Sequence, residues 1–269
     1  MRRGRRLQRR LALALSWIAS SASPFASAAP GVCAASGLPD DIVVLDTLFT
    51  MDEAAWLEDA AAGRSYRWGE TDFARAPPAG AVHELDVGVA DGGAHSGHDP
   101  LLGHLVSRVW PNLEEMLRNG TLRLDGAAAA PDRRVAPPDV PPLQLYRAYV
   151  NLFRRGDSPR AHRDAPLGAN HVTCLVYANR EWARDWGGET VFYDETHEIR
   201  RAVRPRPGRA VCFTGGLMHA ARPPLPEVNT PRYTIALKWE AEDNRPPTVP
   251  HHRHDTTNRE GENERRTRP

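Results

Sequence analysis

His162 and Asp164 stand one residue apart in NLFRRGDSPRAHRDAP, residues 151–166, after a Gly-Asp turn and before a proline. In an extended segment, residues i and i+2 project from one face, so an imidazole and a carboxylate placed this way reach the same object. A metal ion is the object that needs both. The triplet alone decides little, because a chain with 11 histidines meets His-x-Asp readily by chance. Context adds weight. Further along, RAVCFTGGLMHAARPPL runs an apolar strand into Gly215-Gly216 and then His219. Two imidazoles and one carboxylate on a β scaffold are the ligands of a mononuclear non-haem iron(II) site, with three adjacent coordination positions left open. A structural zinc site is instead closed by four ligands. Taken in isolation, His219 reads as an ordinary core histidine.

Arg232 opens the strand RYTIALKWE. Arg232 and Thr234 fall on one face of it, with Tyr233, Ile235 and Leu237 on the other. A guanidinium pointing inward from an apolar strand needs a partner, since an unpaired buried charge is costly. Its planar fork suits a carboxylate held by two hydrogen bonds, with the Thr234 hydroxyl assisting. A structural ion pair to a neighbouring Asp or Glu is the alternative.

These residues need rigid elements to position them. DDIVVLDTLFTMDEAAWLEDAAAG predicts a short strand over Ile42 to Leu45 and then a helix. Thr50 and Glu53 form its capping box, and Gly63 supplies the stop. Residues 64–98 mix Gly, Pro and His with little pattern. A second helix is expected from about Pro100 to Arg118, with Leu101, Leu102, Leu105, Val109 and Leu113 on one side. Residues 126–142 form a proline-marked connector, after which LQLYRAYVNLF, HVTCLVYA, ETVFYD, RAVRP, RAVCFTG and RYTIALKWE read as short strands separated by turns. The fold class is therefore mainly β with flanking α-helices around a jelly-roll core. The working domain is residues 143–241, with 40–142 as its helical and mixed support. Trp182 and Trp186 are expected to cover the barrel edge around the Gly187-Gly188 turn. Glu189 reads as a turn or rim charge, Asp185 and Asp194 as solvated, and Arg154, Arg155, Arg160 and Arg163 as a solvated rim, with attraction of an acidic substrate as the alternative.

The ends and the composition constrain address more than activity. Residues 1–28 have an arginine-rich start, a short apolar run and a small-x-small sequence at Ala26-Ser27-Ala28, the layout of a secretory signal peptide. An organelle transit peptide shares that composition. The apolar run is short for a membrane span, so no stable span is expected. The polar tail, residues 242–269, carries His251, His252 and His254, but an expected disordered segment gives them no fixed geometry for ligation. A net charge of +1 gives no electrostatic case for nucleic acid. Cys33, Cys174 and Cys212 make no disulfide-rich framework, although Cys174 and Cys212 would be able to bond if their strands are neighbours in an oxidising compartment. Lys238 is the only lysine, arginine supplying the other 34 basic side chains. That imbalance reads as coding bias.

Together, YVNLFRRGDSPRAHRDAP, TCLVYANREWARDWGGETVFYD, VRPRPGRAVCFTGGLMHAARPP and RYTIALKW resemble the iron(II)- and 2-oxoglutarate-dependent dioxygenase superfamily, in its prolyl 4-hydroxylase-like branch. The resemblance covers residues 143–241 and implies a double-stranded β-helix. It implies that His162, Asp164 and His219 bind iron(II), that Arg232 with Thr234 holds the distal carboxylate of 2-oxoglutarate, and that Tyr149 lines the cosubstrate pocket. Asn151 competes for that last role, and core packing is the other reading of Tyr149. Arg232 follows His219 by more than the family's usual interval, the added length lying in RPPLPEVNTP. The implied activity couples oxidative decarboxylation of 2-oxoglutarate by O2 to C–H hydroxylation, with ascorbate as reductant. Asp164 favours hydroxylation, since halogenating relatives lack this carboxylate. A prolyl residue in a polypeptide or a small molecule is the implied substrate. Two rival readings are a non-catalytic jelly-roll binding module and a metal-dependent hydrolase on a β scaffold.

Overall fold

Strand β10, Arg232–Ala241, explains the architecture, because it is buried on both faces. Tyr233, Ile235, Leu237 and Trp239 join one cluster with the helices, whereas Ala236 joins a second cluster on the opposite face. A strand between two apolar layers must lie in the middle of a sheet. The computed structural model describes residues 41–70, 79–87, 99–124 and 142–241. The leader, the 126–141 part of the connector and the polar tail, with the expectations attached to them, lie outside the described residues.

Among the described residues, ten strands and two helices follow in chain order: β1 Ile42–Leu45, α1 Met51–Ala62, β2 Arg67–Glu70, β3 Gly80–Leu85, α2 Pro100–Arg118, β4 Leu143–Phe153, β5 His171–Tyr177, β6 Thr190–Tyr193, β7 Ile199–Val203, β8 Ala210–Thr214, β9 His219–Ala221 and β10. A seven-stranded antiparallel sheet has the order β1-β8-β5-β10-β4-β3-β2, and a three-stranded sheet has the order β7-β6-β9. The two face each other across Phe192 and Val203 from the smaller sheet and Tyr149, Leu175, Tyr177, Val211, Phe213 and Ala236 from the larger. This is a double-stranded β-helix. Strands β2 and β3 lie in the stretch where sequence shows little pattern; they exist because β3 pairs with β4 over Ala81–Leu85.

Both helices pack on the outer face of the large sheet. Leu57 and Ala61 of α1 and Leu101, Leu105, Val109, Leu113 and Met116 of α2 share a core with Ile235, Leu237 and Trp239. The capping box forms as expected, with Thr50 Oγ1 accepting from Glu53 N and Glu53 Oε2 accepting from Thr50 N. The same buried carboxylate accepts from Arg108 of α2 at 2.8 Å, tying the helices together. Cys174 and Cys212 face each other in the β5–β8 register and form a disulfide on this outer, helix-facing side.

Candidate metal centre

The His162 segment does not reach its partners through sequence proximity. His162 N–H donates to His219 O and His219 N–H donates to His162 O, both at 2.9 Å, which adds the segment to the small sheet beside β9. Asp164 is fixed from the large sheet. Its N–H and that of Ala165 both donate to Gly215 O, at 2.9 and 3.0 Å, while Gly215 N–H donates to His171 O at 2.9 Å. Glycine is required there for space: a Cβ on Gly215 would lie 2.2 Å from His171 Nδ1.

Three expected ligands therefore converge. The ligating atoms of His162, Asp164 and His219 all lie within 4.8 Å of one another. His162 Nε2 is 3.5 Å from Asp164 Oδ1, and His219 Nε2 is 3.8 Å from Asp164 Oδ2. Each imidazole turns Nδ1 toward a backbone carbonyl, Arg160 O at 3.1 Å and Leu217 O at 2.9 Å. A carbonyl only accepts, so in the tautomers assigned from these contacts Nδ1 carries the proton and Nε2 presents a lone pair. His219 lies edge-on against Phe213, with ring centroids 4.6 Å apart. Burial brings its pKa down to about 4, with His162 adding to the effect and Asp164 opposing it. It is neutral at pH 7, as a ligand must be.

Asp164 shows the opposite balance. Burial pushes its carboxyl up, but His219, which is protonated at the acid pH where this carboxyl titrates, and the Lys238 ammonium with its hydrogen bond outweigh burial and hold it well below the usual carboxylate range. Thr173 Oγ1 donates to Oδ2 at 2.6 Å, and Lys238 Nζ donates to Oδ1 at 2.7 Å. Lys238 is the site residue that the sequence reading missed. Only part of the signal was present: alternation places the only lysine of the chain on the same face of β10 as Arg232, Thr234 and Ala236 but does not name its partner.

At the other end of that face, Arg232 is 1% exposed. Its Nε donates to Gly188 O at 2.7 Å, Nη1 to Thr234 Oγ1 at 3.2 Å and Nη2 to Thr190 Oγ1 at 3.1 Å. All three acceptors are neutral, and among the described residues no carboxylate forms an ion pair with it, against the structural ion-pair reading. Tyr177, whose ring lies 5.5 Å from the guanidinium, does not replace the anion, because burial raises its pKa and keeps the phenol neutral. Trp182 closes this end: its Nε1 donates to Gly187 O at 2.8 Å, and a Cβ on Gly188 would lie 2.8 Å from its ring. Gly188 also has φ +81°, where side chains are strained.

The strand register separates the two pocket-lining candidates. Asn151 pairs with Thr234, next to Arg232, whereas Tyr149 pairs with Ala236, one row nearer the metal ligands. Asn151 Oδ1 is buried with no hydrogen-bond partner. Tyr149 is buried among the inner cluster, with the Lys238 ammonium 5.4 Å from its ring centre. Of the expected rim arginines, Arg155 donates to Pro226 O and Arg163 to Gly216 O, so these two brace the loops around the site. Asp194 is exposed, as expected, and its Oδ1 organises the β6–β7 turn by accepting from Thr196 and Glu198.

The donors fit iron(II). They are two neutral imidazoles and a carboxylate, and among the described residues the two cysteines, whose thiols would favour zinc, are joined in a disulfide on the far side of the sheet. Comparison agrees with the chemistry. Residues 146–239 match the family described as the 2OG-Fe(II) oxygenase superfamily. Among solved structures, a Pseudomonas putida prolyl-4-hydroxylase is 15% identical with a TM-score of 0.50, the match covering 75% of this chain and 92% of that one. A Trichoplax adhaerens prolyl hydroxylase, solved with a hypoxia inducible factor oxygen degradation domain peptide, is 17% identical with a TM-score of 0.52, covering 76% and 84%. These are likenesses of fold. No curated protein matches the chain in sequence.

Proposed function

We propose that this protein is an iron(II)- and 2-oxoglutarate-dependent hydroxylase, with His162, Asp164 and His219 as the metal ligands and Arg232 as the anchor for the distal carboxylate of 2-oxoglutarate. One observation carries the reading: a guanidinium buried to 1% exposure has only neutral acceptors. A buried cation of that kind is balanced when a carboxylate arrives. The rival metal-dependent hydrolase has no use for it, and a non-catalytic module has no use for two lone pairs and an ionised carboxylate aimed at one point.

Each side chain has a definite task in this reading. Thr234 and Thr190 orient the guanidinium fork, and the Asn151 amide faces the same region with hydrogen-bonding capacity to spare. His162 and His219 present Nε2, with Nδ1 held by backbone carbonyls. Phe192, Phe213 and Leu175 keep water from the inner face. Bound iron(II) supplies the oxygen-activating redox chemistry that no side chain here provides. A prolyl residue in a polypeptide is the substrate class that best joins the fold likeness to the secretory leader expected at residues 1–28, and ascorbate is the fitting reductant.

Anaerobic titration of the metal-free protein with iron(II) and then 2-oxoglutarate tests the reading. A weak visible charge-transfer band is expected, absent in the His219→Ala variant and shifted to much higher 2-oxoglutarate concentration in Arg232→Ala. Iron binding without a 2-oxoglutarate-dependent band would overturn the assignment. Succinate release with prolyl peptides then tests the substrate class, scored against turnover without peptide.

A further inference from the structure

We propose that Lys238 is a built-in stand-in for the metal, a positioning residue whose ammonium holds Asp164 in its ligating orientation until a cation arrives. The inference rests on the metal reading above and concerns what keeps the site assembled without metal.

The Asp164 side chain is 3% exposed, and such a carboxylate needs compensation within the protein. Thr173 donates to one oxygen and Lys238 to the other, so both oxygens are fixed before any cation binds. The oxygen that Lys238 holds is also the one 3.5 Å from His162 Nε2, so the ammonium sits beside the position a metal would take.

The residue type matters. Arginine serves at the other 34 basic positions of this chain. A guanidinium fork takes both oxygens of a carboxylate, which would displace Thr173 and turn the remaining lone pairs away from the imidazoles. An ammonium is a point donor and takes one. Its seat is also built: the nitrogen lies 5.4 Å over the Tyr149 ring, and the β10–β4 register shifts between Lys238 and Trp239. The extra residue at that point is Tyr146 on β4, so β10 keeps its regular alternation and Lys238 stays on the face of Arg232, Thr234 and Ala236.

The energetic consequence follows from one carboxylate serving two cations. When the metal binds, the ammonium becomes redundant and is repelled by a like charge nearby. Lys238 and the metal are therefore negatively coupled, and the coupling is reciprocal. Loss of Lys238 should harm the metal-free protein far more than the metal-bound one.

The test is thermal unfolding of the full chain as wild type, Lys238→Met and Lys238→Arg, each chelator-treated and then saturated with Mn(II). Lys238→Met is expected to lower the metal-free midpoint by about 10 °C, a size typical for an orphaned buried charge in a domain of this length. Mn(II) is expected to raise its midpoint at least twice as far as it raises that of wild type. Equal Mn(II)-induced shifts would overturn the proposal while leaving the metal reading intact. If Lys238→Met folds only with Mn(II), the expected coupling is present in its extreme form. If it folds in neither state, Lys238→Arg decides: a near-wild-type metal-free midpoint with Mn(II) affinity weakened tenfold or more is expected, and unchanged affinity sinks the idea. Absence of any Mn(II) shift in wild type would remove the metal reading and this inference together.

Discussion

Asn179 Oδ1 accepts the backbone N–H of Tyr233 at 2.9 Å, so the residue after Arg232 is held by a side chain just beyond β5. Asn179 Nδ2 donates to Pro231 O at 2.9 Å, gripping the residue before Arg232 as well, and lies 3.2 Å from Glu58 Oε1 on α1. The helix on the outside of the sheet thereby reaches Arg232 on the inside.

Replacing Asn179 with alanine should consequently affect the anchor without touching it. The buried Tyr233 N–H and the part-buried Pro231 carbonyl lose their partner, a cost of about 2–3 kcal/mol in stability. With the start of β10 loosened, the apparent KM for 2-oxoglutarate is expected to rise roughly tenfold, equivalent to about 1.4 kcal/mol, while iron affinity stays within about twofold of wild type. Parallel iron and 2-oxoglutarate titrations separate the two. An unchanged KM would show that Arg232 is held by Gly188, Thr190 and Thr234 without help from Asn179.

Gly215 is the corresponding lever at the metal end. Its carbonyl accepts from both Asp164 and Ala165, and an added Cβ would meet His171 Nδ1 at 2.2 Å and Ala165 Cβ at 3.0 Å. Gly215→Ala should move the loop carrying Asp164 or displace the His171 ring. Overpacking of this kind costs about 1–3 kcal/mol. Iron affinity is expected to fall by about tenfold or more, because a ligand set tolerates little displacement. Gly216→Ala is the control. A Gly215→Ala protein that binds iron like wild type would contradict the geometry.

Much of this was legible in the sequence, for identifiable reasons. Strands β4, β5, β8 and β10 are apolar runs bounded by turn residues, and α1 carries its own capping box, so local pattern locates them. Strand β9, only His219–Ala221, has no local signature and is defined by pairing with β6 and with His162. Strand β3 is likewise set by β4. His162, Asp164, His219 and Arg232 were identifiable because their residue types are costly to bury without a purpose. Lys238 was not, since alternation gives its face but not its neighbour, and Asp164 meets it only after the chain has folded across the barrel.

The Cys174–Cys212 pair makes a prediction that leaves the site alone. Both residues are fully buried on the helix-facing side, while their neighbours Thr173, Leu175, Val211 and Phe213 face the interior or the metal ligands. Protein handled without reductant should yield a Cys174–Cys212 cross-linked peptide in mass spectrometry. Its sequence separation is 38, for which loop-closure entropy gives a stabilisation of about 3–4 kcal/mol. The double variant Cys174→Ala, Cys212→Ala should melt lower by that measure yet keep its affinity for iron and 2-oxoglutarate. Lost 2-oxoglutarate binding in a folded double variant would mean that the outer face controls the inner one.

His171 gives the pH dependence. Tyr146 Oη lies 2.6 Å from its Nε2, and Nδ1 is buried without a partner. Burial lowers its pKa from 6.5 to about 4, Lys238 adding to the effect and Asp164 opposing it. Between pH 4 and 6.5 the unfolded chain therefore binds a proton that the native protein does not, so stability rises with pH across that window. Read downward, the contribution is complete above pH 6.5 and is lost as pH falls toward 4, at about 1.4 kcal/mol per pH unit at most. Urea unfolding of the metal-free protein at a series of pH values should show this slope, with His219 adding its own part. His171→Gln, which cannot titrate, should flatten it by one proton's worth. An unaltered slope in that variant would place the acid sensitivity elsewhere in the chain.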